Sequence, residues 1–439
     1  MIGDQQTSTI EIFLNGQWIP AASFTPAGKG PYTGVFEYRL DYVFADNPVP
    51  LSLALPVTSE RTGLDDAGQA QACPAFLLDL VPQGRGRSYL CEKLGLPAGD
   101  ESDLILAQYG AFNPIGNLRF DTAVRYCRDE AGDVPIKRFS LDEITGRTPE
   151  FLEYVFRHAM LSAGTSGVQG AAPKFLLTQD FEGAWFADGA LPDADARKHW
   201  LVKLPRSSHE DDVAVLRNEA AYMRVADKCG LRTHGEPMLA NDMLFVERFD
   251  RIVTANRLER RHQESLASLA GILGFGIRAS MFDLCRAIIR HASSPAREIA
   301  EFIKRDVLNM AMRNTDNHAR NTAMQRLPDG TVLLTPLFDF APMYLDREMI
   351  VRNCHWRHDG KIVDRIEDIL HILNLKEVDR QNIVRDLRKF AGKVGKLDRI
   401  MIDCGVDQRI VDACCQSIED QNLRLSDLPK PGADSELTL

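Results

Sequence analysis

The chain has 439 residues, of which 44% are hydrophobic and 26% charged, and 62 acidic against 52 basic side chains give a net charge of -10. This is the composition of a globular protein of two or three domains, and it excludes a disordered or fibrous chain. The acidic balance argues against a general nucleic-acid binder. Nine cysteines without a Cys-x-x-Cys pair, and an N-terminus without an apolar signal segment, predict reduced thiols in a cytoplasmic protein. No apolar run is long enough to predict a membrane span.

The first 125 residues predict a small α+β domain. Two alternating runs flank Asn15-Gly16 within 9–20, which is a strong signal for a β-hairpin. Further apolar runs predict strands at 34–40, 42–44 and 111–120 and helices at 74–82 and 88–94. Residues 126–150 are charged and polar, so we place a linker there.

The remainder of the chain divides at about residue 260. Before it, the patterns predict strands at 175–178, 183–186, 200–204 and 244–249 and a helix at 211–228. After it, helical periodicity predicts helices at 264–274, 279–292, 295–314, 363–374, 376–392 and 407–422. Only 322–345 interrupts this pattern, with the turn Pro328-Asp329-Gly330 between two strand-like runs. We expect the tail 429–439 to be disordered.

The sharpest motif is an aspartate, Asp316, followed five positions later by Asn321, directly after an apolar helix. A short strand then leads into a second aspartate, Asp339. Phosphoryl transfer needs these groups in this order, because one carboxylate takes the proton of the attacking hydroxyl while a carboxamide and a second carboxylate hold magnesium. The alternative is that the first two residues are only the polar end of a helix and its loop.

A lysine and a glutamate upstream fit the same chemistry. Lys203 stands in the apolar strand 200–204, and Glu219 lies sixteen residues later in the predicted helix. Kinases place a strand lysine on the ATP phosphates and hold it with a helix glutamate. The alternative is an edge-strand lysine that reaches water and an ordinary surface glutamate.

Two further motifs carry less weight. Residues 164–174 form a glycine-containing loop whose backbone N–H groups could approach phosphate oxygens, although it lacks the Gly-Lys-Ser/Thr ending of a Walker motif. A flexible linker is the alternative. The run 354–358 contains one cysteine and two histidines, but no second cluster completes four ligands, so no zinc site is expected there.

Together these segments resemble the HipA family of toxin serine/threonine kinases, the toxin components of type II toxin–antitoxin modules. The resemblance covers about residues 10–425. The motifs that carry it are Thr165-Ser166-Gly167-Val168-Gln169 with Pro173-Lys174, Val202-Lys203-Leu204-Pro205, Asn218-Glu219, Val246-Glu247-Arg248-Phe249-Asp250-Arg251, Thr315-Asp316-Asn317-His318-Ala319-Arg320-Asn321 and Leu337-Phe338-Asp339. It implies an α+β fold: a HipA N-terminal α+β domain at 1–125, the linker at 126–150, a kinase N-lobe at 151–260 and a helical kinase C-lobe at 261–428.

The resemblance also implies a role for each motif. Asp316 would be the catalytic base, Asn321 would complete the catalytic loop and bind magnesium together with Asp339, and Lys203 would contact the phosphates of ATP. The remaining residues assigned to ATP binding are Ser166, Gly167, Val168, Gln169 and Lys174 in the loop that covers the phosphates, Glu219 beside the lysine, Phe245, Val246 and Glu247 in a hinge strand near adenine, and His318. The cofactors implied are ATP and Mg²⁺.

Regulation and partners follow from the same resemblance. The family autophosphorylates a serine of the glycine-rich loop, which would switch ATP binding off because the added charge repels the nucleotide. Here Gly164 stands at the position of the family's earlier loop serine, so Ser166 is the expected phosphosite and Thr165 is the alternative. The expected partners are a HipB-like helix-turn-helix antitoxin, DNA only through that antitoxin, and a protein substrate, which in the family is an aminoacyl-tRNA synthetase; no membrane is expected.

Three functions therefore remain in competition. The leading one is an ATP-dependent protein serine/threonine kinase that inhibits growth. The second is a catalytically weak kinase fold that acts as a corepressor through a DNA-binding antitoxin. The third is a small-molecule or lipid kinase, because the atypical loop at 164–174 departs from that of ordinary protein kinases.

Overall fold

A computed structural model describes residues 6–28, 30–131, 136–162, 173–254 and 257–428. The predicted loop residues Ser166, Gly167, Val168 and Gln169 and the tail 429–439 lie outside the described residues. The described chain forms two compact units. Unit 1 takes its residues from Met1–Arg206, Met243–Phe275 and Gln325–Pro328, and unit 2 takes them from Ser207–Asp242, Gly276–Met324 and Asp329–Leu439.

Unit 1 begins with the predicted hairpin. Strands β1 (Ser8–Leu14) and β2 (Gln17–Pro26) pair antiparallel across Asn15-Gly16, whose φ angles of 52° and 85° are those of the tight primed turn that this dipeptide favours. Strands β3 (Gly34–Tyr38) and β4 (Leu118–Phe120) complete the sheet in the order β3-β2-β1-β4. The inward side chains of the sheet form an aromatic and aliphatic core, with Ile10, Ile12, Phe24, Phe36 and Phe120 buried.

Short helices lie between β3 and β4 and after β4. They are α1 (Leu40–Val43), α2 (Gly84–Leu94), α3 (Asp103–Gly110), α4 (Asp121–Ala131), α5 (Leu141–Thr145) and α6 (Pro149–Ser162), with 3-10 turns at Ala75–Leu80 and Asp100–Ser102. The strand predicted at 42–44 is wrong, because α1 occupies it. Phe44 is 80% exposed and the Tyr42 hydroxyl donates to the Val49 carbonyl, so the run does not bury the alternate side chains of a strand.

The middle of the chain is rich in strands. These are β5 (Lys174–Asp180), β6 (Trp185–Ala187), β7 (Ala196–Lys203), β8 (Met238–Ala240), β9 (Met243–Glu247), β10 (Arg251–Thr254), β11 (Arg257–Arg260) and β12 (His262–Ser265). Within unit 1, β5 pairs antiparallel with both β6 and β7, and β7 pairs antiparallel with β9. The strands predicted around 175, 185, 200 and 245 are therefore confirmed.

A buried charge network joins the first sheet of unit 1 to its later strands. The Asp250 carboxylate accepts from Arg248, from Arg251 and from the Gly116 backbone N–H, at 2.6–3.0 Å, and all these side chains are at most 3% exposed. Burial alone would raise the pKa of Asp250, but the two guanidinium groups outweigh it and hold that pKa well below its usual range. Arg251 also donates to the Pro114 and Gly116 carbonyls.

The helix predicted at 264–274 is wrong. Strand β12 runs to Ser265 and only the short α8 (Leu266–Leu269) follows. Side-chain hydrogen bonds hold the extended backbone: the Glu264 carboxylate accepts from the Ser52 hydroxyl and the Leu53 N–H, and the Ser265 hydroxyl donates to Asp79. These partners lie about two hundred residues away in the chain, so local periodicity does not reveal them.

The second half of the chain is mainly helical. Helix α7 (Glu210–Lys228) precedes β8. After α8, the helices are α9 (Met281–His291), α10 (Pro295–Ala311), α11 (Ile366–Ile372), α12 (Glu377–Val394), α13 (Leu397–Asp403) and α14 (Gln408–Ser426). The interrupting strands are β13 (Ala279–Ser280), β14 (Ala323–Arg326), β15 (Val332–Leu334), β16 (Cys354–His355), β17 (Arg357–His358) and β18 (Lys361–Ile362), with a 3-10 turn at Met343–Leu345. The five other helices predicted after residue 275 are confirmed, and α13 was not predicted. Among the residues described, no helix is both long and apolar enough to cross a membrane.

Candidate active site

The loop that carries Asp316 begins at an abrupt helix end. Helix α10 closes with two backbone hydrogen bonds, from the Asn314 N–H to the Asn309 carbonyl at 2.8 Å and from the Arg313 N–H to the Met310 carbonyl at 3.3 Å. Arg313 has a φ of 54°, the left-handed conformation that ends helices in this way. The chain therefore leaves α10 within one residue, and 314–321 becomes a loop.

The buried side chain of Asn314 connects the two aspartates of the motif. Its Oδ1 accepts from the Asp316 N–H at 3.3 Å, and its Nδ2 donates to the Asp339 carbonyl at 3.4 Å and to Asn309 Oδ1 at 2.9 Å. Asn314 is 3% exposed, so these groups have little access to water. One amide thus fixes the spacing between the backbone of the proposed base and that of the proposed metal ligand.

The loop is also closed from its far end. Asn321 Nδ2 donates to the Asp316 carbonyl at 2.9 Å, and the Asn321 N–H donates to the His318 carbonyl at 2.9 Å. His318 Nε2 lies 3.5 Å from Asp316 Oδ1. The Asp-x4-Asn spacing therefore corresponds to a small closed loop, in which the first residue is held by the last.

Asp339 is placed by the strand that precedes it. The Thr335 N–H donates to the Ala323 carbonyl, and the Leu337 N–H donates to the Arg232 carbonyl at 2.8 Å. Asp339 itself has a φ of 51°, a left-handed conformation that is uncommon outside glycine but that aspartate adopts more readily than most residues. The structure around it imposes this conformation, since Phe340 packs against Tyr222 with ring centroids 5.1 Å apart.

Buried charges fix that strand to helix α10. The Glu298 carboxylate binds the Arg232 guanidinium through two hydrogen bonds of 2.8 and 2.9 Å and accepts from the Leu334 N–H. Glu301 accepts from Arg305 at 2.9 Å, and Arg305 also donates to the Thr335 carbonyl at 2.7 Å. Burial raises the pKa of Glu301, but Arg305 and the other donors outweigh it, so the pKa lies below its usual value.

Four of the predicted site residues line one pocket of unit 2. Asp316, His318, Asn321 and Asp339 all line it, together with Asn314, Asn317 and the α10 residues Arg305, Asp306 and Asn309. Carboxylate and amide oxygens are the ligands that magnesium prefers, so Asp339 and Asn321 fit that ion by their chemistry. Within the described residues, no group of three or more histidine, cysteine, aspartate or glutamate side chains is placed to hold a metal.

Unit 1 holds the two predicted lysines. Lys174 and Lys203 are direct partners in the antiparallel register of β5 and β7, so their side chains leave the same face of the sheet. Lys203 is 6% exposed. Two cations in opposed positions repel one another unless negative groups lie close to them.

The proposed hinge residues lie on β9. By the register of β7 and β9, Phe245 pairs with Val202, and Val246 pairs with Leu201, which shares a strand face with Lys203. Phe245 is fully buried, 5.5 Å from the Trp185 ring, and therefore belongs to the core. Glu247 binds Lys198 at 2.7 Å. Any contact of this strand with adenine would fall to its backbone and to Val246.

The other predicted residues are more dispersed. Glu219 is a buried residue of α7 in unit 2, and its pairing with Lys203 of unit 1 stays a prediction. The sequence reasoning missed the structural roles of Asn314, Asn317 and Asp306. The only sequence signal was the run of polar residues Asn-Thr-Asp-Asn directly after an apolar helix.

Two protein-family models match successive parts of the chain. The HipA-like C-terminal domain matches residues 166–419, which is more than half of the chain, and the HipA N-terminal domain matches residues 10–121. The first match contains Lys203, Glu219, Asp316, Asn321 and Asp339.

Two relatives come from Shewanella oneidensis. The serine/threonine-protein kinase toxin HipA is 25% identical over 375 residues, covering 78% of this chain and 77% of the relative. A solved structure of the toxin–antitoxin system HipA and HipB with operator DNA contains a chain with a TM-score of 0.62 and 18% identity, covering 95% of this chain and 97% of that one. The predicted fold class, α+β with a kinase-like body after an N-terminal α+β domain, is confirmed by that likeness. The chain belongs to the HipA family, which includes the serine/threonine-protein kinase toxin of Shewanella oneidensis.

Proposed function

We propose that this chain is an ATP- and magnesium-dependent protein serine/threonine kinase that acts as the growth-inhibiting toxin of a toxin–antitoxin module. The observation that carries the proposal is the pocket lined by Asp316, Asn321 and Asp339, in which the Asn314 amide binds the backbone of both aspartates. Family membership and the kinase relative support the same activity.

In this proposal, Asp316 takes the proton of the acceptor hydroxyl. Its backbone is held on both sides, by Asn314 Oδ1 and Asn321 Nδ2, so its carboxylate needs little reorganisation when the acceptor arrives. His318, 3.5 Å from Oδ1, orients that carboxylate by its ring nitrogen. The proton moves from the serine or threonine oxygen to Asp316 while that oxygen bonds to the γ-phosphorus of ATP, and ADP leaves with the bridging oxygen.

Asp339 and the amide oxygen of Asn321 would hold Mg²⁺. The bound ion would neutralise charge on the ATP phosphates. Asn321 Nδ2 already donates to the Asp316 carbonyl, which turns the amide so that its oxygen is the end left for a cation. The left-handed backbone at Asp339 and its link to Asn314 set where that second carboxylate stands.

The opposed lysines of unit 1, Lys174 and Lys203, would bind the phosphates of the nucleotide. Glu219 would support Lys203, and the backbone of 245–247 would border adenine. The loop residues Ser166, Gly167, Val168 and Gln169 would cover the phosphates. Phosphorylation of Ser166 would then end ATP binding, because about two negative charges would stand where the phosphates bind.

The partner we propose is a HipB-like antitoxin, since the structural relative was solved with HipB and operator DNA. DNA would be reached through that antitoxin. The acceptor would be a protein, with an aminoacyl-tRNA synthetase as the first candidate to test.

The test is incubation with γ-labelled ATP and magnesium. The wild type should incorporate label into itself. Asp316→Ala should incorporate about a hundredfold less label, which is the loss typical of a missing general base. Asp398→Ala, an exposed aspartate of α13, is the matched control and should label normally. Ser166→Ala should remove most of the self-label, and mass spectrometry that places the phosphate elsewhere would contradict that assignment.

Binding measurements separate the competing functions. Asp316→Ala should still bind ATP, because Asp316 acts on the acceptor rather than on the nucleotide. A wild type that neither binds ATP nor labels any protein would favour the corepressor, and transfer to small molecules or lipids alone would favour the third alternative.

A further inference from the structure

The end of helix α10, where the loop of Asp316 begins, has two backbone carbonyls that no N–H of the helix reaches. The three carbonyls before them accept hydrogen bonds from the backbone, in the pairs Met312 to Leu308, Asn314 to Asn309 and Arg313 to Met310. In the part of the chain that the structure describes, no backbone N–H binds the next two carbonyls, those of Ala311 and Met312. Helix ends leave such carbonyls over, and a buried one needs a donor from elsewhere.

Hydroxyl groups of two other helices bind these carbonyls. The Tyr222 hydroxyl of α7 donates to the Met312 carbonyl at 2.8 Å, and the Ser417 hydroxyl of α14 donates to the Ala311 carbonyl at 2.7 Å. Tyr222 and Met312 are both 0% exposed, so water does not compete for their hydrogen bond. Burial also raises the pKa of the Tyr222 hydroxyl well above its usual value, so the group stays protonated and remains a donor.

Tyr222 also contacts the chain beside the second aspartate of the pocket. Its ring centroid lies 5.1 Å from that of Phe340, which is 1% exposed and directly follows Asp339. Met312, which accepts from the hydroxyl, lies four residues before Asp316. One side chain therefore binds the chain just before the loop of the proposed base and packs against the residue after the proposed metal ligand.

We infer that Tyr222 is a positioning residue, whose hydroxyl fixes the end of α10 and whose ring fixes the chain at Asp339, so that the proposed base and metal ligand keep their spacing. The inference rests on the proposed function and adds to it a residue that acts from outside the pocket. Asn314 joins the two aspartates from within the loop, whereas Tyr222 holds the same two chain segments from helix α7. A displacement of about 1 Å at a reacting group can cost about a hundredfold in rate, so this hydrogen bond should matter for catalysis.

The first test removes the hydroxyl and keeps the ring. With γ-labelled ATP and magnesium, Tyr222→Phe should lower the maximal rate of self-labelling about tenfold, because the buried Met312 carbonyl loses its donor and the loop shifts. The ATP concentration that gives half of this rate should stay the same, because the lysines proposed for the phosphates are untouched. Tyr222→Leu also loses the contact with Phe340 and should label itself more slowly still.

The matched control is Tyr42→Phe in unit 1. Tyr42 is 5% exposed, and its hydroxyl likewise donates to a backbone carbonyl, that of Val49, at 2.7 Å. Urea denaturation should show comparable losses of stability in the two variants, yet Tyr42→Phe should label itself at the wild-type rate. A wild-type rate in Tyr222→Phe would overturn the inference. Equal falls in both variants would overturn it as well, since a general loss of stability would then explain them.

The second test needs no nucleotide. Hydrogen–deuterium exchange should show the amides of 313–316 exchanging about tenfold faster in Tyr222→Phe, while those of 302–306 in the middle of α10 keep their wild-type protection. Unchanged exchange at 313–316, or equal acceleration along the whole helix, would overturn the inference. A wild type that neither binds ATP nor labels any protein would contradict the proposed function, and the exchange result would still show whether the Tyr222 hydroxyl fixes the start of the loop.

Discussion

Lys174 and Lys203 face each other across the antiparallel strands β5 and β7. Like charges in directly opposed positions destabilise a sheet by up to about 1 kcal/mol. The phosphates of ATP are the anion that we propose for this pair.

Replacing Lys174 should therefore weaken nucleotide binding. Lys174→Ala should weaken ATP binding about tenfold, because one cation of the proposed phosphate site is lost. Calorimetric titration measures the affinity. Lys93→Ala, an exposed lysine of α2, is the control and should bind ATP as the wild type does. Equal ATP affinity in wild type and Lys174→Ala would argue against a phosphate site here.

Asn314 should contribute to stability and to catalysis together. Asn314→Ala removes the acceptor of the Asp316 N–H and the donor to the Asp339 carbonyl in a buried place, so we expect a loss of about 2 kcal/mol in the free energy of unfolding and a large fall in kcat. Asn309→Ala removes only the third partner of the amide and should leave kcat nearly unchanged. Comparable kcat values for the two variants would mean that the aspartates do not depend on Asn314.

The lowered pKa of Glu301 predicts how the stability of the protein changes as the pH falls. Its pKa in the folded protein lies below the unfolded value of about 4.5, because Arg305 and the Arg232 N–H outweigh burial. The stabilisation is therefore fully present above about pH 4.5 and is lost as the pH falls through the lowered folded pKa. Glu301→Gln should be less stable than the wild type at pH 7, and this difference should shrink on acidification below pH 4.5.

Unfolding midpoints measured between pH 3 and pH 7 check this prediction. Glu419→Gln, an exposed glutamate of α14, provides the comparison and should follow the wild type throughout. A Glu301→Gln protein whose deficit grows on acidification would show that the sign is wrong.

Asp250 should be among the most sensitive positions of unit 1. Asp250→Ala leaves Arg248 and Arg251 buried without their shared carboxylate, which should cost about 3–5 kcal/mol in the free energy of unfolding. Asp41, which pairs with Arg39 on the surface and has a side chain that is 66% exposed, should cost less than about 1 kcal/mol when replaced by alanine. Thermal and urea denaturation distinguish the two; similar losses would mean that burial of the network contributes little.

The sequence predicted residues whose chemistry is local. Asn15-Gly16 specifies its own turn, and Asp316 and Asn321 are near enough in the chain for their spacing to define one loop. Lys203 stands out because a lysine is rare in a buried strand. In each case the residue type and a few neighbours are sufficient.

The sequence did not predict contacts that depend on distant residues. Asn314 and Asn317 bind carbonyls 25 and 37 residues away, and Glu264 binds a hydroxyl 212 residues away. An amide in a polar run gives no indication of such a partner. For the same reason the sequence predicts a helix at 264–274, where the extended form of β12 depends on Ser52, Leu53 and Asp79.

The buried network around Asp250 restricts how this chain can vary. The two family models match residues 10–121 and 166–419. Gly116 of the first range nevertheless shares one set of hydrogen bonds with Arg248, Asp250 and Arg251 of the second. A chimaera that takes its first 125 residues from another family member would bring a foreign loop to these fixed charges. We therefore expect such a chimaera to be less stable than a chain that takes both modules from the same family member.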